Sequence, residues 1–595
     1  MKLTNIICNT NKLELTSSSV ETNSTISEYL FDFRYNESIQ GNLNALQQFP
    51  MKNRPLVHLH LEAPALYIVG IWRPDSAFEK NLIGDWAKLH QINLSHSAPV
   101  VTFFNQEENN CFTVSSSNVN QDSFLLAGVH EETGEIYIDI IIYLSPETNI
   151  YDLTCRIDTT NAPLHQVLEN VSNWWDSILP DKPMCVPRET KLPMYSTWYS
   201  YHQDMTDELL RCEYQQAANL GMKTVIIDDG WQTEDNNRGY GFCGDWKSER
   251  TKFPDLKKHV DYIHSLGMKC LLWYSVAFVG KYSSVWNEYS NMLLHFDSTL
   301  QAGVLDPRYP QVRFYLITLY KTALEEWNLD GLKLDFIDSF REYTDTPEYN
   351  RDMDFHEIQD AVYHLMLEIS KTLRAIKPNI MIEFRQNYIG PQMRRFGNIF
   401  RVGDCPLSSV SNRIGITDLK LISGNTAIHS DMIMWHHNES PEDIAIRLIN
   451  CIFGNLQISV KLNSLNDKQY KVLQHYLKFS ISNCKVLQEG IFSIQSPLAL
   501  YPVLQSCYDK ICIIAYYISN VLIKLPFNES FNEYWILNGC KEKQICIQFS
   551  ESGTYQITSL DCFGDEICRK EEKITPGLYS FLNSAGGSMQ INKIF

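Results

Sequence analysis

A chain of 595 residues is too long for one hydrophobic core and, at the usual domain size, divides into roughly three. Its 44% hydrophobic and 20% charged residues are those of an ordinary globular protein, and its net charge of −19 argues against a nucleic-acid partner, whose phosphates it would repel. No apolar run at the N-terminus is long enough for a secretory signal, no window approaches the roughly 18 apolar residues of a membrane span, and the 16 cysteines are scattered without a CxxC pair. These features predict a cytoplasmic protein with free, mostly buried thiols, no structural zinc and no membrane partner.

From residue 1 to 185 the pattern is strand, turn, strand. Segments 56–61, 65–72, 100–104 and 135–144 are rich in β-branched and aromatic residues and are separated by Asn, Gly, Ser and Pro clusters, as in a β-sandwich. A helical stretch, 164–178, leads into the proline-marked linker 179–187. Over 186–486 short apolar runs alternate with amphipathic stretches, the signature of β/α units. Strands are expected at 195–199, 224–229, 269–275, 332–337, 380–384, 399–404, 428–434 and 456–460. Helices are expected at 204–220, 255–266, 311–327, 354–376, 417–423 and 440–453. Eight strands with helices between them predict a central (β/α)8 barrel. Over 487–595 short strands return without helices, which predicts a small C-terminal antiparallel β-domain.

The barrel strands end in chemistry. The fourth carries Lys333 and Asp335, two apart and so on the same side of the strand. The bland alternative is an ion pair at a strand terminus, where solvent is near. The other ends supply Trp198, Asp228 and Asp229, Arg401 and Asp404, and His429 with Asp431; Trp246 lies in the loop after the second strand. Carboxylates that grip hydroxyls and indoles that stack on a pyranose describe a sugar pocket, and the 12 Trp and 31 Tyr fit that use as well as they fit large β-domains. Glycoside hydrolysis needs two carboxyl groups with different tasks. Asp335 beside the Lys333 cation suits the ionised role, whereas Arg401 near Asp404 would lower its pKa, the wrong direction for an acid unless burial or another carboxylate offsets it. Trp198 and Trp246 either contact the sugar or bury a loop. Trp231 reads as packing, Asp338 as a supporting or capping residue, and Cys405 as a small buried hydrophobe.

Asp228-Asp229-Gly230-Trp231, Gly244-Asp245-Trp246, Lys333-Leu334-Asp335 and Arg401-Val402-Gly403-Asp404 resemble the motifs of glycoside hydrolase family 36, the melibiase-type α-galactosidases, over roughly 190–465. The resemblance implies a retaining double displacement with Asp335 as nucleophile and Asp404 as acid/base. Asp228, Asp229 and Lys333 would hold galactose hydroxyls, and Trp198 and Trp246 would shape the pocket. Arg385, Arg401 and Asp431 complete the expected sugar-binding set, and no metal or organic cofactor is implied. The implied substrate is an oligosaccharide with a terminal α-linked galactose, and relatives are often homo-oligomers. Three departures stand out. Ile382-Glu383-Phe384-Arg385-Gln386-Asn387 replaces a glycine-rich stretch, an arginine ahead of Val304-Leu305-Asp306 is missing, and Asp404 lacks the Trp-x-Ser-Asp form. These leave α-N-acetylgalactosaminidase, other α-glycosidase and transglycosylase activities open, and a metal-dependent barrel enzyme or an inactive sugar-binding protein are the readings from other classes.

Overall fold

The computed structural model describes residues 2–8, 13–23, 25–35, 56–145, 147–526 and 531–594. Residues 36–55, which the sequence places in the N-terminal β-domain, lie outside them. The N-terminal part is a sandwich of a five-stranded and a six-stranded sheet. Its strands alternate faces residue by residue. On Leu56–Pro64, Val57, Leu59, Leu61 and Ala63 enter the core, as do Ile136, Ile138, Ile140 and Ile142 of the antiparallel neighbour Glu135–Tyr143. His58, His60, Glu62 and Asp139 therefore face outward.

The barrel is built from eight parallel strands, β1 (Met194–Ser196), β2 (Thr224–Ile227), β3 (Lys269–Ser275), β4 (Gly331–Asp335), β5 (Met381–Arg385), β6 (Ile399–Arg401), β7 (Ala427–His429) and β8 (Gln457–Ile458). Ladders join all neighbours from β8 through β1 to β7, and the seam between β7 and β8 is closed by two isolated bridges, His429 to Asn455 and Ile433 to Ile458. Period-two alternation sorts each strand. On β4, Leu332 and Leu334 join the large apolar core between sheet and helices, while Gly331, Lys333 and Asp335 face the barrel axis. Met194, Ile226, Leu271, Met381, Ile399 and Ala427 form an apolar floor across six strands. Above it lies a layer of polar and ionisable side chains, Lys333, Glu383, Arg401, His429 and Gln457, all buried. Gly331 permits the close β4–β5 approach, since a Cβ there would lie 2.1 Å from the Met381 carbonyl oxygen.

Several helices around and after the barrel start on side-chain caps that satisfy otherwise unpaired amides, whereas Pro310–Trp327 and Ile358–Ile376 have none. Thr206 caps Asp207–Asn219, Asp255 caps Leu256–Ser265, Ser440 caps Pro441–Cys451 and Asn466 caps Asp467–Ser482. The C-terminal part has a seven-stranded and a three-stranded sheet, mostly antiparallel, with one parallel pair in each. No helix among the described residues is long and apolar enough to cross a membrane.

Two expectations need correction, and one element was not anticipated. The helix expected at 417–423 is Ser409–Ile422, capped by Ser408; its polar residues Asn412, Arg413 and Asp418 are buried, which blurs the apolar stripe that marks a surface helix. A three-stranded sheet (Phe278–Gly280, Leu293–Asp297, Ala302–Leu305) stands between β3 and β4. The cysteines are not all free thiols: Cys507 and Cys512, opposite each other on a hairpin, form a disulfide, and Cys185, Cys212 and Cys568 are exposed.

Candidate active site

Asp335 is the last residue of β4, and the strand ends there because Phe336 turns into the left-handed region, φ 63°. A bulky residue held at positive φ is strained, and such strain clusters at functional sites. Asp335 is buried, with 10% of its side chain exposed, and its carboxylate accepts from four donors. Oδ1 takes the Arg385 Nε at 2.6 Å, the Phe336 amide at 2.8 Å and the Tyr388 hydroxyl at 3.1 Å. Oδ2 takes only the Trp273 indole Nε1–H, at 3.2 Å. Burial alone would push this carboxyl up, but Arg385, then Lys333 and Arg401, outweigh it and hold Asp335 well below the usual range. The principal cation is Arg385, fifty residues away, and not Lys333, which the sequence pairs with it.

Lys333 instead donates to Asp228 Oδ2 at 2.6 Å, with both side chains buried. Asp228 follows β2, and its amide is fixed by Thr197 Oγ1. Burial lowers the Lys333 pKa, yet Asp228 more than compensates and the ammonium stays charged. Asp229 is gripped by two amides, Gln203 to Oδ2 and Gln232 to Oδ1, both at 2.7 Å. Burial raises it to about 6.

On the other side of the mouth, Arg401 at the end of β6 is 1% exposed and reaches two carboxylates, Asp431 at 2.6 Å and Asp404 at 2.9 Å. Asp431 is fully buried and also accepts from the Tyr199 hydroxyl at 2.8 Å and the Cys405 amide at 2.7 Å. Burial raises its pKa. Asp404 leaves 58% of its side chain exposed. Burial pushes it up, Arg401 and Lys333 pull it down by more, and the Asp335 charge opposes them.

The structure thus brings Asp228, Asp229, Lys333, Asp335, Arg385, Arg401, Asp404 and Asp431 to the C-terminal ends of β2, β4, β5, β6 and β7, where a barrel keeps its chemistry. Trp198 opens a short helix after β1, partly exposed, with the Arg238 guanidinium 5.5 Å above its ring. Trp246 stands apart. It is 4% exposed and packs against Trp231, Trp273 and Tyr274, so it buttresses the site from behind. His429 bonds the Thr190 carbonyl and lies in the barrel interior. Asp338 lies 3.6 Å from Arg385.

Sequence reasoning missed three contributors. Trp273 sits on β3 in register with Lys333, and its inward parity was the available signal. Tyr199 adjoins Trp198 in the same short helix. Tyr388 lies in the loop after β5, where nothing local marks it. Glu383, noted only as a departure, is fully buried, bonded by Gln457 and 3.7 Å from Arg401, and burial raises it to about 7.

Residues 184–385 match the Melibiase family model. The α-galactosidase Mel36A of Lactobacillus acidophilus is 22% identical over 298 residues, 46% of this chain and 39% of that protein. The α-galactosidase of Escherichia coli is 24% identical over 175 residues, 28% of this chain and 25% of that one. The matches therefore span less than half the length of these curated relatives. Among solved structures, the family 36 α-galactosidase AgaA of Geobacillus stearothermophilus superposes with a TM-score of 0.65 at 14% identity, covering 96% of this chain and 81% of that one. AgaB from the same organism gives 0.66 at 14% identity, covering 96% and 79%. Over residues 184–385 this chain is melibiase-like in sequence, and nearly its whole length follows the fold of the glycoside hydrolase family 36 structures.

Proposed function

We propose that this chain is a retaining, exo-acting α-galactosidase, a cytoplasmic hydrolase of oligosaccharides that end in α-linked galactose. The observation that carries the reading is the contrast at the barrel mouth between a buried carboxylate held ionised by Arg385 and a second, exposed one on Arg401. The likeness to α-galactosidases supports it, and AgaA variants have been crystallised with 1-deoxygalactonojirimycin and with raffinose. The three units, 1–185, 186–486 and 487–595, then divide into a catalytic barrel and two bracing β-domains.

Asp335 Oδ2, the oxygen with a single donor, attacks the anomeric carbon as the glycosidic C–O bond breaks. Arg385, Tyr388 and the Phe336 amide hold Oδ1 and fix the approach. Asp404 gives its proton to the departing oxygen. The Asp335 charge favours that proton on Asp404. Once Asp335 is glycosylated that charge is gone, Asp404 stays ionised, and it takes a proton from the water that releases the sugar. Lys333, Asp228 and Asp229 offer a donor and acceptors to hydroxyls, and Trp198 an aromatic face.

Turnover of an aryl α-galactoside by wild type and Asp335→Asn, beside aryl α-N-acetylgalactosaminide and α-glucoside, tests the proposal. Cleavage of the galactoside by wild type alone is expected. Preference for a control sugar would keep the mechanism and assign the Arg385 wall to another substrate. A mutant equal to wild type would remove Asp335 from the role.

A further inference from the structure

A cluster of imidazoles and carboxylates stands on the outer face of the N-terminal sandwich, in a different domain from the barrel mouth. Its origin is the alternation already described. His58, His60 and Glu62 occupy successive outward positions of Leu56–Pro64, and Asp139 lies directly opposite His60 on Glu135–Tyr143. His58 Nε2 and His60 Nδ1 each lie 2.7 Å from the same oxygen, Asp139 Oδ1. The other nitrogen of His60, Nε2, is 3.1 Å from Glu62 Oε1. Beyond Glu62 comes His130, 4.0 Å away, itself bonded to Asp85 at 2.6 Å.

We propose that His58, His60 and Asp139 form a binding site for one divalent transition-metal ion, zinc by preference. The ligand atoms lie within 4.8 Å of one another. A tetrahedral zinc with bonds of about 2.0–2.1 Å sets its ligands roughly 3.3 Å apart, so the two 2.7 Å contacts need open by only about half an ångström. Two residues i and i+2 on one strand and a third across the ladder converge on one point without rearranging the backbone. The side chains are 14–22% exposed, which leaves a path for the ion and room for a water in the fourth position. Two neutral imidazoles and one carboxylate suit a borderline ion such as zinc, and calcium or magnesium would ask for more oxygens.

The independent support is Glu62. A metal-ligating histidine donates its remaining ring N–H to a carboxylate or carbonyl, which fixes its tautomer and orientation. With the ion on Nδ1 of His60, Nε2–H points at Glu62 Oε1, and that contact already exists. The scattered cysteines argue against thiolate zinc, and this set uses none. The ion would staple Leu56–Pro64 to Glu135–Tyr143. In the competing arrangement a protonated His60 lies between Asp139 and Glu62, and neither of its nitrogens offers a lone pair to a metal.

The test uses the full chain, stripped with chelator, loaded with Zn2+ and gel-filtered before metal analysis, with a parallel Co2+ sample for its visible spectrum. One zinc retained per chain is expected, with weak cobalt ligand-field bands and no thiolate charge-transfer band. His58→Ala and His60→Ala should lose the ion. Glu62→Gln should bind about 10- to 100-fold more weakly, and His60→Gln serves if the alanine variant folds poorly. No retained zinc in wild type, unchanged retention in the His58/His60 double variant, or a thiolate band would each overturn the proposal.

Discussion

Asp335 lies in the wall of the barrel with four donors on its two oxygens and 10% of its side chain exposed, whereas Asp404, three residues past β6, takes one guanidinium contact and leaves 58% of its side chain exposed. The first is immobile and held ionised. The second can move, and its proton answers to the charge of its neighbour. A double displacement needs that asymmetry, because one group must stay put to form a bond while the other passes a proton both ways. The difference arises from the chain: β4 is followed at once by a strained residue and a 3-10 turn, and β6 by an open loop.

The comparison can be broken at its strongest point first. Asp335→Asn should lower kcat by roughly 10⁴-fold or more with KM little changed, and a loss below tenfold would end the assignment. Asp404→Asn should be selective. With an oligosaccharide, whose leaving oxygen needs a proton, we expect a loss of about 10²–10⁴-fold, and with an activated aryl glycoside a far smaller one. Equal losses on both substrates would show Asp404 acting through structure. In wild type, kcat/KM should fall as pH rises from the acid side, since Arg401 and Lys333 favour proton loss from Asp404.

Arg385 tests what holds Asp335. Arg385→Ala should cut kcat/KM by about 10–100-fold and move the acid limb of the profile upward, because the leading downward pull on the Asp335 pKa is gone. Arg385→Lys should restore part of the shift. A lower rate with an unmoved limb would make Arg385 a contact to sugar and not the clamp on Asp335.

The smallest effect concerns stability. Glu383 has its folded pKa raised from 4.5 to about 7, so the folded chain holds that proton more tightly than the unfolded one. The contribution is fully present below the unfolded value and is lost as pH rises through about 7. Glu383→Gln removes the loss and should gain ~2–3 kcal/mol on wild type between pH 5 and pH 8, a rise of a few degrees in thermal midpoint. A constant difference across that range would place the titration elsewhere.

Much of this was legible in the residues. Lys333 and Asp335 two apart on a strand, and Asp228-Asp229-Gly230-Trp231 after another, announce inward carboxylates because alternation is a local rule. Partner choice is not local. Lys333 sits beside Asp335 in sequence and yet binds Asp228, while Arg385 reaches Asp335 from the neighbouring strand β5. Tyr388 comes from a loop whose path no periodicity encodes. Trp246 shows the opposite limit, since an indole near a barrel mouth looks the same in sequence whether its face is open or, as here, packed on Tyr274.

The seam between β7 and β8 gives the C-terminal sheets a task. Arg413, on the helix before β7, bonds Asn450 on the helix between β7 and β8 at 2.7 Å, the Leu500 carbonyl at 3.1 Å, and lies 4.2 Å above the Tyr517 ring. Tyr517 in turn reaches the Ile449 carbonyl. One arginine thus ties both flanks of the joint to the chain that leads into the C-terminal sheets, as a rivet ties two plates to a strap. Beside the two backbone bridges, Arg413 and Tyr517 thus brace the seam from outside the ladder. Substitutions at Tyr517, far from the barrel mouth, therefore bear on how firmly the ring is closed.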